Sequence, residues 1–313
     1  MAIGGYFSIE LNNRKEYHSN AINLNTGRNA LEYILRVRNY SKVYIPYFTC
    51  EVLLEPFRKL NIEYEFYHIN KHLEPVFDYN LLAKNEGFLC TNYFGLKDKF
   101  ILEISRRISN IIVDNAQSFF SKPIENVDTF YSVRKFVGTG DGAYLYCNKP
   151  LSDPFAQDSS HSRMSHLLIR ADSNAEDGYP HFISNDNSLK NQPIHKMSKL
   201  THKILSSLDY EQIKLKRIEN FEYLNKHLIQ LNHLELSRPE NQVPQTYPFW
   251  TNKASIKKRL LENKIYCATY WPNVLEWCEA DSLEYQLATE LVHLPIDQRY
   301  DIDDMRTIKE LVC

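Results

Sequence analysis

The segment that most constrains the fold is residues 111–143, where two short apolar runs lead into a glycine-rich turn. Three of the nine glycines in the chain lie within residues 138–142. The apolar run 111–113 ends at Asp114, and the run 127–131 leads through Ser132 to Lys135. Such runs predict buried parallel strands, and α/β sheets bind their ligands at the carboxyl ends of these strands. We therefore expect Asp114 and Lys135 to lie at a functional edge of a sheet.

The order of these residues suits a site for pyridoxal phosphate (PLP). A lysine amine such as that of Lys135 forms a Schiff base with PLP, and a carboxylate such as Asp114 keeps the pyridine nitrogen protonated. Each feature alone has a common alternative, since Asp114 is also suited to a helix cap or turn. Lysines before glycine-rich turns are usually solvated, and such turns also occur in ordinary hairpins and loops. The order and spacing of all three favour the cofactor site.

Length and composition restrict the remaining classes. A chain of 313 residues predicts one large α/β unit, residues 1–200, and a smaller unit, residues 201–313. The net charge of −2 and pI of about 6.6 give no electrostatic footprint for nucleic acid. No 18-residue apolar run occurs, so we expect no membrane association and a cytoplasmic protein. The six cysteines lack metal-ligand spacing, and we expect them to be reduced and buried, with no metal site.

Hydrophobic periodicity predicts how the rest of the chain folds. Short strands are expected at 42–46, 62–69, 87–91 and 143–147, and helices at 50–60, at 210–231 and from about Asp301. The helix at 210–231 has a largely one-sided apolar stripe formed by Ile213, Leu215, Ile218, Phe221, Leu224 and Leu228. Thr26 is suited to cap a further helix, and the polar stretches 157–162 and 184–187 are expected to be loops. The alternation predicts an α/β fold with a mostly parallel central sheet sandwiched by helices. Beyond about residue 235 we expect a smaller α/β domain.

Several sequence blocks occur in the order of a known family. They are Leu24–Leu31, Val43–Thr49, Thr91–Gly95, Val113–Ser118, Lys135–Gly142, Tyr270–Pro272 and Leu294–Ile296. With them the chain resembles, over roughly residues 20–310, the DegT/DnrJ family of PLP-dependent sugar-nucleotide aminotransferases. The D-x-A-Q motif that begins at Asp114, followed by the block that begins at Lys135, is the most specific part. The resemblance implies the PLP-transferase fold of type I and a homodimer with its active sites at the subunit interface.

The same resemblance implies an activity and a set of site residues. The activity is transfer of an amino group from glutamate to a keto-sugar nucleotide, for surface-polysaccharide or natural-product sugar biosynthesis. Lys135 and Asp114 are the expected catalytic residues. The expected cofactor-binding residues are Thr26, Gly27, Arg28, Phe48, Asn92, Asp114, Gln117, Ser132 and Lys135.

Several of these assignments have open alternatives. Phe48 either stacks on the cofactor ring or is a core residue. Arg28 is expected to add a charged donor to a phosphate site at a helix N-terminus, but it also suits the substrate or the solvent. Arg134 is a second candidate cation for phosphate or substrate. Ser132 stands three residues before the lysine, whereas relatives more often place their serine five before it.

One block departs from the family. Relatives place an asparagine that reaches the neighbouring subunit's phosphate three residues before a methionine, and here Ile194 precedes Met197 by that spacing. Asn191 is out of register. Two other readings therefore stay open at this stage. One is a PLP-dependent lyase or dehydratase, although relatives that dehydrate sugars commonly replace the lysine. The other is a non-catalytic regulatory or scaffolding protein of the same fold.

Overall fold

The computed structural model describes residues 3–152, 154–236, 242–253 and 255–313. Its ten strands are β1 (Ile22–Leu24), β2 (Lys42–Pro46), β3 (Glu63–Ile69), β4 (Pro75–Val76), β5 (Glu86–Thr91), β6 (Ile111–Asn115), β7 (Asp128–Ser132), β8 (Ala143–Tyr146), β9 (Tyr247–Trp250) and β10 (Leu291–Leu294). Eight of them form one sheet in the order β1-β8-β7-β6-β5-β2-β3-β4, and β9 pairs with β10. The five central strands β7, β6, β5, β2 and β3 run parallel, whereas the other pairings are antiparallel. The predicted α/β class with a mostly parallel central sheet is confirmed.

Eleven helices are present among the described residues. They are α1 (Gly27–Arg38), α2 (Glu55–Leu60), α3 (Asp98–Ile104), α4 (Ser165–Asp172), α5 (Ala175–Ser188), α6 (Lys199–Ser207), α7 (Tyr210–Leu228), α8 (Ser255–Glu262), α9 (Val274–Trp277), α10 (Leu283–Glu290) and α11 (Ile302–Val312). In the part of the chain that is described, no helix has the length and apolar character needed to cross a membrane.

The predicted division between residues 200 and 201 stays a prediction. An apolar cluster runs from the central sheet into the C-terminal elements, since it joins Phe88 and Phe94 to Phe221, Phe249 and Met305. Both predicted units contain residues that lie outside the described ones, namely 1–2, 153, 237–241 and 254. All six cysteines are unpaired, as expected, but Cys90 is the one that is fully buried.

Two predictions about local structure are wrong. Residues 184–187 belong to α5 rather than to a loop, because Asn174 caps this helix and Asn185 donates to the carbonyl oxygen of Gly140 (3.1 Å). The apolar stripe of α7 does not include Leu215, whose exposure is 60%. Arg217 is buried in its place, at 1% exposure, because neighbouring segments supply acceptors for its guanidinium. The sequence pattern predicts that a charged residue is exposed, but tertiary hydrogen bonds allow this one to be buried.

The sheet register brings the predicted site segments together. Asp114 lies opposite Phe130 on the parallel strand β7, so that Ser132 ends β7 at the same edge. The turn after it needs glycine at position 142, where φ is +125° and a Cβ atom would lie 3.0 Å from the Cβ of Val133. The glycine-rich turn thus closes between two strands that pair directly, β7 and β8.

Candidate active site

The N-terminus of α1 presents free backbone donors to this edge. Thr26 has extended backbone angles, and its hydroxyl oxygen accepts a hydrogen bond from the Asn29 amide (3.2 Å), as predicted for an N-cap. The amides of Gly27 and Arg28 have no acceptor among the described residues. A Cβ atom on Gly27 would lie 3.9 Å from the Cβ of Ser132. The structure therefore places Ser132 beside a helix N-terminus that can bind an anion.

The side chain of Arg28 has a partner of its own. Its guanidinium forms an ion pair with Glu55 (2.6 Å), and both side chains are largely buried. The second carboxylate oxygen of Glu55 accepts a hydrogen bond from the Asn191 amide (2.8 Å). In this arrangement Glu55 neutralises the charge of Arg28, while the backbone N–H of Arg28 has no acceptor among the described residues.

Asp114 and Lys135 lie close enough to interact electrostatically. Burial raises the pKa of Asp114, and the positive charge of Lys135 and a hydrogen bond from the Ala116 amide (2.8 Å) oppose that increase. Lys135 itself is exposed in the turn after β7. A buried carboxylate that faces a cation is stabilised in its charged form, and a protonated ring nitrogen beside it would have the same effect.

Gln117 carries a buried donor without an acceptor. Its side-chain oxygen accepts a hydrogen bond from the Phe94 amide (3.1 Å), and the residue is 1% exposed. Its Nε2 atom is buried and has no hydrogen-bond partner. Because an unsatisfied buried donor is costly, this amide is suited to a ligand oxygen.

Two predicted cofactor residues are held by the protein's own packing. Phe48 is fully buried and packs edge-on against Trp271, with ring centroids 4.7 Å apart. The amide of Asn92 donates to Asp98 (2.6 Å) and to Asn115 (2.9 Å), in a groove that Lys135 does not line. The structure therefore gives Phe48 the environment of a core residue. Asn92 lies at the end of β5, where its backbone N–H donates to the carbonyl oxygen of Asp114 (3.0 Å), and its contact with the cofactor stays a prediction.

Arg217 and Gln298, which sequence reasoning missed, fix the lysine turn. Nε of Arg217 donates to Oε1 of Gln298 (3.0 Å), and Nε2 of Gln298 donates to the carbonyl oxygen of Phe136 (2.9 Å). The guanidinium also lies 4.7 Å from the ring centroid of Phe136, and burial lowers the pKa of Arg217 to about 10. Phe136 directly follows Lys135, so these contacts restrain the backbone of the lysine. The sequence feature that could have indicated this role is the position of Arg217 on the otherwise apolar face of helix α7.

Asp141 fixes the other end of the same turn. This fully buried carboxylate accepts hydrogen bonds from the backbone amide of Ser198 (2.7 Å), from the Ser198 hydroxyl (2.7 Å) and from the Thr201 hydroxyl. These donors belong to the first turn of α6 and its cap, where a negative charge is favoured. The turn that carries Lys135 is therefore anchored on both sides.

The residues at this edge fit PLP. The structure offers an exposed lysine amine, a carboxylate near it, free amides beside a serine for the phosphate and an unpartnered amide on Gln117. No group of three or more His, Cys, Asp or Glu side chains that could hold a metal ion occurs within the described ranges. The lysine, the carboxylate and the free amides are the kinds of group that could hold an organic cofactor with a phosphate.

Comparison with known proteins gives a consistent result for the fold. No protein-family model matches this sequence, and no curated protein matches it. Among solved structures, a DegT DnrJ EryC1 StrS aminotransferase from Brucella abortus is 16% identical, with a TM-score of 0.62 over 93% of this chain and 84% of that chain. NtdA from Bacillus subtilis, with bound cofactor PMP, is 14% identical, with a TM-score of 0.65 over 93% and 72% of the two chains.

A dehydratase shares the same architecture. GDP-4-keto-6-deoxymannose-3-dehydratase (ColD), with bound GDP-perosamine, is 12% identical, with a TM-score of 0.64 over 94% of this chain and 88% of that chain. The similarity to all three structures extends over nearly the whole chain, as the order of the sequence blocks predicted. The expected resemblance is confirmed at the level of structure: this chain has the fold of the DegT/DnrJ-type sugar aminotransferases.

Proposed function

We propose that the protein is a PLP-dependent aminotransferase that transfers an amino group from glutamate to a keto-sugar nucleotide. The observation that supports this proposal is that Lys135 lies close enough to the buried carboxylate of Asp114, at the carboxyl edge of the sheet, to lower its pKa electrostatically. The free amides of α1 beside Ser132 supply the matching phosphate site. The homodimer and the role in surface-polysaccharide or natural-product sugar biosynthesis belong to the same proposal.

Each residue has a specific task in this mechanism. The amides of Gly27 and Arg28 and the hydroxyl of Ser132 bind the phosphate. Asp114 keeps a proton on the ring nitrogen, and Nε2 of Gln117 donates a hydrogen bond to a ring or substrate oxygen. PLP, when bound, supplies the electron sink for breaking a bond at the substrate carbon.

Lys135 has two tasks in succession. Its amine would hold the cofactor, and once the amino donor has taken that place it would be a free base. In that state it would take up the proton from the α-carbon of glutamate, and it would later give a proton to the substrate carbon that receives the amino group. The anchored turn described above keeps the amine within reach of both positions.

The fold shared with a dehydratase supports a second candidate function. A dehydratase of this type would eliminate water from the sugar instead of aminating it. The presence of Lys135 favours amino transfer, because relatives that dehydrate sugars commonly replace this residue. A regulatory or scaffolding role would leave the unpartnered amide of Gln117 and the free amides of α1 without a ligand.

Reduction with borohydride tests the role of Lys135. We expect the protein purified with PLP to show a visible absorbance band that borohydride bleaches, and peptide mapping to place the label on Lys135. Lys135→Ala should lose the label, whereas the matched control Lys99→Ala, an exposed lysine on α3, should retain it. Label on another lysine, or equal label in Lys135→Ala, contradicts the assignment.

A half-reaction separates the two enzymatic candidates. Addition of glutamate alone should convert the band stoichiometrically and release 2-oxoglutarate, if the protein is an aminotransferase. A protein that binds PLP through Lys135 but leaves glutamate unchanged, while it consumes a keto-deoxysugar nucleotide precursor, would be a lyase or dehydratase. Absence of any cofactor band would favour the non-catalytic reading.

A further inference from the structure

A cavity of about 440 Å³ opens on Lys135, and Asn92 is not among its lining residues. Five cationic side chains and one carboxylate line this cavity, which we term the lysine-side cavity: Arg134, Lys135, Arg170, Arg217, Arg299 and Asp297. The cationic residues come from four parts of the chain, namely the lysine turn, helix α4, helix α7 and the segment before α11. Such an excess of positive charge in a concave site attracts anions.

Acidic side chains neutralise only some of these cations. Asp297 binds Arg299 through two hydrogen bonds (2.7 and 2.8 Å), and Asp186 binds Arg134 (3.1 Å). Among the described residues, neither Arg170 nor Lys135 forms an ion pair or a hydrogen bond through its side chain. Both are exposed at the cavity. The cavity therefore retains donors and charge that no protein group satisfies.

Arg217 adds charge at the base of the cavity without a carboxylate partner in contact. Its hydrogen bonds go to the neutral side chain of Gln298 (3.0 Å) and to the carbonyl oxygen of Gln245 (3.0 Å). Neutral acceptors satisfy the donors of a guanidinium but leave its net charge in place. A buried positive charge of this kind is stabilised when an anion binds nearby.

The α4–α5 hairpin supplies the opposite wall. His166 is 8% exposed and lines the cavity, and its Nδ1 atom is buried with no hydrogen-bond partner. Tyr179 and Phe182 stack on each other at the rim, with ring centroids 6.2 Å apart, and remain 61% and 41% exposed. The wall thus combines an unpartnered buried nitrogen with an exposed apolar surface, next to a free guanidinium on Arg170.

We propose that the lysine-side cavity binds an anionic group of the substrate, a carboxylate or a phosphate, and that Arg170 is the side chain that contacts it. Arg170 is suited to this role because a guanidinium binds planar oxyanions through two hydrogen bonds and its donors are free. The anion would lie next to Lys135 and so direct the reacting end of the substrate toward the amine. The identification of the anion with the substrate rests on the proposed function. The binding of an anion in the cavity does not.

Titration calorimetry with two unreactive anions tests the proposal on the full-length protein as purified. The probes are inorganic pyrophosphate, which represents the diphosphate of a nucleotide, and succinate, which represents the carboxylates of the amino donor. We expect one of them to bind with a Kd below about 1 mM at 50 mM salt. Arg170→Gln should weaken that binding by about tenfold to a hundredfold, the effect of losing about 1.5–3 kcal/mol from hydrogen bonds to a charged group.

Matched variants make the result specific. Arg106→Gln removes an exposed arginine next to α3, outside the cavity, and should leave the Kd within about twofold of wild type. Arg170→Lys should recover part of the affinity. Because Arg170 is exposed, we expect both Arg170 variants to unfold at the same temperature as wild type.

Three outcomes overturn the proposal. They are saturation by neither probe below about 10 mM, equal weakening in Arg106→Gln, and loss of PLP retention in Arg170→Gln without a change in anion binding. The last outcome would assign Arg170 to the cofactor. The proposed function fails independently, since a protein with no cofactor band would still bind pyrophosphate or succinate if the cavity is an anion site.

Discussion

The contact between Arg217 and Gln298 leads to a quantitative prediction about stability. Arg217 is 1% exposed, and its Nε–Gln298 Oε1 hydrogen bond of 3.0 Å joins helix α7 to the segment that holds the lysine turn. We consider three variants, namely Arg217→Met, Gln298→Ala and the double substitution. Methionine keeps most of the volume of the arginine stem, so the comparison concerns the charge and its hydrogen bonds.

Two opposing effects determine the cost of Arg217→Met. The variant leaves Gln298 Oε1 and the carbonyl oxygen of Gln245 without a donor, which costs about 1–3 kcal/mol for each buried acceptor. It also removes a buried charge. The lowering of the Arg217 pKa from 12.5 to about 10 corresponds to about 3 kcal/mol by which burial disfavours the charged form at neutral pH. The two acceptors together cost about 2–6 kcal/mol, so the net effect on the free energy of unfolding lies between a gain of about 1 and a loss of about 3 kcal/mol, with a loss of about 1 kcal/mol at the midpoints.

Gln298→Ala acts on the same pair from the other side. It leaves the charge of Arg217 buried with one hydrogen bond fewer, and a hydrogen bond to a charged group contributes about 1.5–3 kcal/mol. We expect the double substitution to cost less than the sum of the single ones by about 1–2 kcal/mol, because both remove the same interaction. Urea unfolding at pH 7 measures all three differences.

Hydrogen exchange separates a positioning role from a merely structural one. In the two single variants, amides of the lysine turn, residues 133–142, should exchange faster than in wild type. Thr246→Val is the matched control, because it removes a buried hydrogen bond to the Leu294 carbonyl (2.7 Å), and the Thr246 hydroxyl forms no hydrogen bond to a described residue of that turn. Additive costs within about 0.5 kcal/mol, or equal exchange in all variants, would refute the coupling.

Three further predictions concern other sites. A hydrogen bond of 2.6 Å joins Nδ1 of His202 to Glu16, and it raises the pKa of His202 above 6.5. Burial alone would raise the pKa of Glu16, but the hydrogen bonds from His202 and Tyr144 outweigh burial and lower it below 4.5. The pair therefore stabilises the fold most between pH 4.5 and 6.5. Its contribution falls at higher pH, where His202 loses its charge, and at lower pH, where Glu16 loses its charge. The loss of unfolding free energy caused by His202→Gln, measured by urea unfolding, should be largest between these two pH values. Asp114→Asn should retain PLP but lose about 2–3 kcal/mol of transition-state stabilisation, and a single-turnover rate with glutamate within about threefold of wild type would exclude its role. Because Glu55 neutralises Arg28, we expect Arg28→Ala to weaken PLP binding by less than about tenfold in a titration of the cofactor-free protein.

The parts of the site that follow from local sequence could be predicted from the sequence. The cap of α1 at Thr26, the ends of β6 and β7 and the glycine-rich turn each depend on a few adjacent residues. The capping box at Asp301 was predictable for the same reason.

The contacts that hold Lys135 in place depend on residues distant in sequence. The Arg217 and Gln298 side chains meet across 81 positions, and nothing in the neighbourhood of either indicates the other. Periodicity assigned Leu215 to the buried face of α7 because it scores apolarity alone. The position of Asn92 at the end of β5 beside Asp114 was predictable, but the hydrogen bond of its side chain to Asp98 was not.

The double anchoring of the lysine turn has a consequence for protein engineering. Asp141 ties one end of the turn to α6, and the carbonyl group of Phe136 ties the other end to Gln298. A library that varies the turn in isolation would break contacts whose partners it leaves unchanged. A transplant of the turn into another scaffold would therefore need the α6 cap and the segment at Gln298 to travel with it. Redesign of substrate choice on the α4–α5 hairpin would have to keep Asn185 and Asp186, because they bind Gly140 and Arg134 of the same turn.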